Sequence, residues 1–124
     1  MEQAPVLVLA ETTRPEGLEV VGWSGATRTA LHSGGPEQWL TAGLTVVPEF
    51  RRRGIGHRLL EAVIEAVAGL EGRTLHSVVN ARNAPSLALH TSLGFEFVET
   101  GPCFAGIEFD GGLGVLLARP TLGP

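Results

Sequence analysis

Lysine and tyrosine are both missing from this chain of 124 residues. All nine basic residues are arginine, and against thirteen acids they leave a formal net charge of -4. Without lysine there is no Walker loop, because GxxxxGK needs that side chain at the phosphates. An acidic balance argues against a general nucleic-acid binder. The single cysteine, Cys103, excludes an internal disulfide and any cysteine-rich zinc site. The histidines (His32, His57, His76, His90) form no HExxH pair, so no metal site is expected. Apolar runs are too short to span a bilayer, and Met1-Glu2-Gln3 carries no basic region of the kind that opens a signal peptide. The expectation is a cytoplasmic protein with no membrane partner.

What is present describes a globular domain. Hydrophobic residues make up 44% and mean hydropathy is +0.20, which excludes a disordered chain. The length fits one domain, 1–124, with no linker or repeat. Pro5–Ala10, Leu18–Thr29 and Trp39–Val47 read as strands separated by turn signals, an antiparallel meander. The period then changes. Leu59, Leu60, Val63, Ile64 and Val67 follow helical spacing over Gly56–Ala68, with Gly69 as a stop. Thr74–Val79 reads as a buried strand. Asn83 reads as the N-cap of a short helix over Ala84–Leu93, with Pro85 in its first turn. Phe95–Thr100, Cys103–Phe109 and Gly114–Arg119 give the final strand material, broken by Gly101-Pro102 and by Asp110-Gly111-Gly112. The order β-β-β-α-β-α-β-β predicts an α+β fold, a mixed, mostly antiparallel twisted sheet with two packed helices.

The most informative segment is Val46-Val47-Pro48-Glu49-Phe50-Arg51-Arg52-Arg53-Gly54-Ile55-Gly56-His57. A strand ends, a glycine-containing turn follows and a helix begins. First-turn amides have no partner inside their helix, and its dipole adds positive charge there. Gly54 and Gly56 allow close approach to the backbone, and Arg51, Arg52, Arg53 and Arg58 flank the turn. The pattern suits a diphosphate. It is not a Rossmann fingerprint, since Leu59 stands where GxGxxG needs its third glycine.

Arg51-x-x-Gly54-x-Gly56, preceded by Leu44-x-Val46-x-Pro48, resembles the R/Q-x-x-G-x-G/A signature of the GCN5-related N-acetyltransferases. Asn83-Ala-Pro-Ser86-Leu-Ala-Leu89-His90-Thr-Ser-Leu93-Gly94-Phe95 resembles the second element of that family, N-x-x-A-x-x-L-Y-x-x-x-G-F. The resemblance implies the acyl-CoA N-acyltransferase fold and transfer of an acetyl group from acetyl-CoA to a primary amine. The acceptor would be a small molecule or a peptide. It implies that the coenzyme's pyrophosphate meets the amides of Arg52, Arg53, Gly54, Ile55, Gly56 and His57. Pantetheine would pair with Leu44 and Val46, and with Asn83 and Ser86 on the second helix, Asn83 being also a plain N-cap. Arg51 completes the cofactor-binding set. The Val46 amide would hold the oxyanion. His90 stands where the family often has tyrosine, so it is the expected general acid for the departing thiolate. The base stays open among Glu11, Glu37, His32, His76 and a water relay. The family domain usually opens with a strand and two helices ahead of the meander, and this chain resembles a short form without them. Its uncovered strand edge leads to the expectation of a homodimer, or of a tight partner that covers the edge. A non-catalytic CoA-binding or regulatory module is the alternative.

Overall fold

A computed structural model describes residues 5–121, and the N-terminal residues 1–4 discussed for a signal peptide lie outside them. Strands β1 (Val6–Arg14), β2 (Gly17–Ala30) and β3 (Glu37–Val46) form the expected antiparallel meander. A single 3₁₀ turn over Pro48–Phe50 leads into helix α1 (Ile55–Gly69). Then follow β4 (Thr74–Asn80), α2 (Ala84–Ser92), β5 (Glu96–Gly101), β6 (Cys103–Phe104), β7 (Ile107–Glu108) and β8 (Gly114–Pro120). The main sheet runs β1-β2-β3-β4-β8-β5, antiparallel except where β3 meets β4.

The expected single strand over Cys103–Phe109 is instead the β6–β7 hairpin. Ala105 and Gly106 both have left-handed φ (52° and 77°), which reverses the chain within two residues. The Ala105 amide donates to the Leu31 carbonyl at 2.8 Å and ties the hairpin to the end of β2.

The apolar stripe of α1 is the one read from the sequence: Leu59, Leu60, Val63, Ile64 and Val67 are buried. They join Leu75, Val79, Val115 and Leu117 from the sheet, and Leu93 and Phe95 beyond α2, in one core. α1 can sit this close because Gly22 lies beneath it. A Cβ there would meet the Thr45 carbonyl oxygen at 2.8 Å and Leu59 Cδ1 at 3.1 Å. On the other sheet face, Leu31, Leu40, Phe104 and Leu116 form a second cluster under the hairpin. That face is bare at the β1–β2 end. The pairings Leu9–Trp23, Glu11–Val20 and Thr13–Leu18 line up Leu7, Leu9, Leu18, Val20 and Trp23, all exposed.

Two features of β3 position everything that follows. Ala42 and Gly43 together oppose the single residue Gly25 of β2, a bulge with Gly43 at φ 83°. The fully buried Ser24 donates its hydroxyl to the Gly43 carbonyl at 2.7 Å, which gives the displaced carbonyl a partner. Past the bulge β3 leaves β4: their parallel pairing is limited to Trp39–Leu75 and Leu40–His76.

Candidate active site

The parting of β3 from β4 leaves main-chain groups open. The Val47 amide donates to the Val21 carbonyl on the β2 side. By strand alternation, the amides and carbonyls of Leu44 and Val46 face the gap. A half-buried strand edge of this kind is free to pair with a ligand. The Val46 carbonyl already has a partner, because Arg51 Nε donates to it at 3.1 Å.

The gap opens into a cleft of about 570 Å³. Leu44, Thr45 and Val46 form one wall, the turn from Phe50 to Gly56 another, and the start of α2 the third. Gly54 caps α1 with φ 79°, and Arg52 is also left-handed at φ 65°. A non-glycine residue in that region costs roughly 1–2 kcal/mol, so the turn is held in a strained form. No side chain caps α1. None of the amides from Arg52 to His57 donates to a backbone carbonyl among the described residues, while Arg58 N reaches Gly54 O at 3.1 Å. The positive end of α1 is therefore open toward an anion.

Most residues read from the motifs converge here: Leu44, Val46, Arg51, Arg52, Gly54, Ile55, Gly56, Asn83 and Ser86 all line the cleft. Two side chains do not. The Arg53 guanidinium lies over the Phe50 ring, 4.9 Å from its centroid, and lines a separate groove against β1 with Arg58. His57 Nδ1 lies 3.3 Å from Glu61, on the outer face of α1. Only the backbone amides of Arg53 and His57 belong to the turn. Thr45, Phe50, Pro85 and Leu89 also line the cleft. Leu89 packs against the core and also forms part of the wall.

A second cavity of about 320 Å³ continues the first, sharing Leu44, Asn83 and Ser86, and reaches Thr41, Ser77 and His90. Asn83 caps α2, its Oδ1 accepting from the Ser86 amide at 3.2 Å. His90 lies one turn after Ser86 and is 4% exposed. Its Nδ1 donates to the Ser86 carbonyl at 2.7 Å, and its Nε2 is 2.7 Å from Ser77 Oγ. The ring packs edge-on against Phe95 at 4.9 Å. Burial lowers the His90 pKa, and the bond to the Ser86 carbonyl offsets part of that effect. The expected general acid thus holds its ring proton against a carbonyl, and no N–H points into the cavity. Ser77 Oγ is also 2.7 Å from Thr41 Oγ1. Neither hydroxyl was singled out from sequence. The available signal is the alternation of β4, which puts Ser77 between Leu75 and Val79 on the buried side.

The candidate bases lie elsewhere. His32 pairs with Glu99 at 3.1 Å. Glu37 opens β3, and Glu11 lines the groove between β1 and α1. Alternation puts His76 on the sheet face away from Ser77.

Comparison with known proteins agrees with this geometry. The FR47-like protein family model matches residues 40–102, which hold the bulged strand, the turn, α1, β4 and α2. A [ribosomal protein bS18]-alanine N-acetyltransferase of Salmonella typhimurium is 44% identical over 52 residues, 42% of this chain and 35% of that protein. The matched stretch thus spans about a third of such curated relatives. The crystal structure of a ribosomal-protein-alanine N-acetyltransferase from Brucella melitensis superposes with TM-score 0.72 at 28% identity, covering 92% of this chain and 67% of that one. A phosphinothricin acetyltransferase of the GNAT superfamily from Sinorhizobium meliloti, solved with acetyl-CoA, gives 0.71 at 25% identity, covering 92% and 60%. With half of its length matched by the family model and nearly all of it by the shared architecture, the chain belongs to the FR47-like group of the GCN5-related N-acetyltransferase superfamily.

Proposed function

We propose that the chain transfers an acetyl group from acetyl-CoA to a primary amine by direct attack on the thioester. One observation carries the reading: a single cleft brings unpaired first-turn amides of α1 together with the unpaired edge of β3. The amides and the α1 dipole suit a pyrophosphate, and the strand edge suits the amide groups of pantetheine. Arg51 and Arg52 add charge at the phosphate end. Leu44 and Val46 supply the ladder, and Asn83 and Ser86 face it from α2. The thioester would then lie near the narrow end of the gap, by Thr41, Ser77 and His90. Val46 lies five residues from Thr41 along β3, about 15 Å in an extended strand, so its amide serves the pantetheine ladder and not the oxyanion of a thioester held beside Thr41. Curated relatives matched over 52 residues are named as [ribosomal protein bS18]-alanine N-acetyltransferases, so a peptide α-amine is the first acceptor to try.

A second reading, a CoA-binding module without turnover, is favoured by one fact. Neither cavity of the site is lined by a carboxylate that could serve as a direct base. Thiol release from acetyl-CoA over small amines and alanine-initiated peptides separates the two. The enzyme is expected to release thiol with at least one acceptor. Calorimetric binding of CoA with no release from any amine would favour the module, and no binding of CoA would exclude both.

The reading includes a homodimer formed through the bare face of β1 and β2, where Leu7, Leu9, Leu18, Val20 and Trp23 are exposed together. Light scattering with a Leu9→Glu variant tests it: the wild type is expected at twice the monomer mass and the variant at monomer mass. A monomeric wild type would end that part of the proposal. No described helix is long and apolar enough to cross a membrane. Cys103 is free and exposed, which fits a reducing cytoplasm.

A further inference from the structure

The polarity of the hydrogen bonds around His90 is set by one atom. A carbonyl oxygen only accepts, so the Ser86 carbonyl at 2.7 Å requires a proton on His90 Nδ1. In a neutral imidazole Nε2 then has none and must accept, and its partner at 2.7 Å is Ser77 Oγ. Ser77 has one proton, and it is committed to His90. At its 2.7 Å contact with Thr41, Ser77 must therefore be the acceptor and Thr41 the donor. Every proton in the row points toward His90. Thr41 Oγ1, the outermost member, keeps lone pairs free to accept from a group in the cavity it lines.

We propose that Thr41, Ser77 and His90 form a proton relay that takes the proton from the attacking amine, with Thr41 touching the amine and His90 as the terminal base. The proposal rests on the acetyltransferase reading and supplies the base that reading lacks. The amine nitrogen lone pair forms the new C–N bond at the thioester carbon, and the carbonyl pair moves to oxygen. The ammonium proton of the adduct passes to Thr41 Oγ1, the Thr41 proton to Ser77 Oγ, and the Ser77 proton to His90 Nε2. The oxygen pair then re-forms the carbonyl and the C–S bond breaks with its electrons on sulfur. All three hydrogen bonds now run outward. The imidazolium returns its proton through Ser77 and Thr41 to the thiolate, leaving amide, free CoA thiol and the starting row. Only the Thr41 hydroxyl turns, from the amide nitrogen to the sulfur, while Ser77 and His90 keep their places. Thr41 is the catalytic residue, and Ser77 and His90 act through it. Burial against Phe95 keeps the imidazole neutral at rest and makes the charged form short-lived.

The test has two arms on the intact chain. Thr41→Val keeps shape and removes the hydroxyl, Ser77→Ala cuts the row in the middle, and Thr41→Ser restores the outer hydroxyl. Thr41→Val and Ser77→Ala are each expected to lower kcat by about 100-fold, the scale of a lost proton-transfer path, with the KM for acetyl-CoA little changed. Thr41→Ser is expected to recover the rate. Full kcat in Thr41→Val or Ser77→Ala overturns the relay, and so does failure of Thr41→Ser to recover it. The second arm reads the tautomer of His90 by ¹⁵N-resolved NMR without substrate. Proton on Nδ1 is the expected result, and proton on Nε2 overturns the relay even if the enzyme turns over. A wild type with the Nδ1 tautomer and no turnover on any acceptor would instead remove the acetyltransferase reading, and the relay with it.

Discussion

Replacing Gly56 by alanine separates what the fold needs from what the cleft needs. Gly56 is the second residue of α1, and its φ is not left-handed. A Cβ built there would meet Leu89 Cδ2 at 3.7 Å and Leu44 Cδ2 at 3.9 Å, ordinary contact distances. The fold should therefore accept the methyl. Alanine also exceeds glycine in helix propensity, by up to about 1 kcal/mol in a helix interior and less near its start. Thermal unfolding should stay level or rise by roughly 1–4 °C. Binding should move the other way. Leu44, Gly56 and Leu89 all line the cleft, so the methyl occupies space between the strand edge and α2. If the ligand's phosphate is held off the amides of Ile55 and Gly56, one charge-assisted hydrogen bond is lost, roughly 1.5–3 kcal/mol. That corresponds to a 10- to 150-fold weaker Kd. Calorimetry with CoA and a thermal melt on the same preparation test both halves. Unchanged CoA affinity in a folded Gly56→Ala protein would refute the placement of the pyrophosphate on this turn. A large fall in melting temperature would refute the claim that the glycine serves ligand approach alone.

Other outcomes follow from the same geometry. Gly54→Ala, at a left-handed φ with open space around its Cβ, should lose about 1 kcal/mol of stability through backbone strain, read by urea denaturation. Ser24→Ala removes the hydroxyl that satisfies the Gly43 carbonyl at the bulge, and should cost roughly 1–3 kcal/mol by the same measurement. A cost near zero would show that the bulge does not depend on Ser24. Arg51→Gln removes the bond to the Val46 carbonyl and one positive charge from the cleft. It should weaken CoA binding several-fold and make that binding less sensitive to salt, checked by titration at two ionic strengths. Burial lowers the pKa values of His76 and His90 in the folded protein. The unfolded chain then binds more protons below about pH 6.5, the ordinary histidine value. Stability should be complete above that value and decline as pH falls through it toward the folded pKa values. Melts between pH 8 and pH 5 check this, and His90→Gln should flatten part of the slope.

Much of the fold was legible because its signals are local. The stripe of α1 is written in the spacing of Leu59, Leu60, Val63, Ile64 and Val67. The meander shows in β-rich runs broken by Arg14-Pro15-Glu16-Gly17 and Ser33-Gly34-Gly35-Pro36. The anion-binding turn was legible for the same reason: glycines and arginines sit together in sequence and fold together at one helix start. The β6–β7 hairpin was not, because Ala105 adopts a left-handed φ that alanine does not advertise. Nor was the bulge at Ala42–Gly43, since two residues facing one is a property of a strand pair.

The sequence by itself determined the element order outside the β6–β7 hairpin, the helix stripe, the α2 cap at Asn83 and the amide turn from Arg52 to His57. Each depends on residues a few positions apart, whose contacts follow from helical or strand periodicity. Tertiary structure decided the rest. It turned the Arg53 and His57 side chains away from the cleft and made Leu89 a wall. It set Thr41, Ser77 and His90, from three different elements, in one row of 2.7 Å contacts. The direction of that row comes from the Ser86 carbonyl, which only accepts. No periodicity along the chain encodes it, because it arises where β3 parts from β4 and α2 lies across the gap.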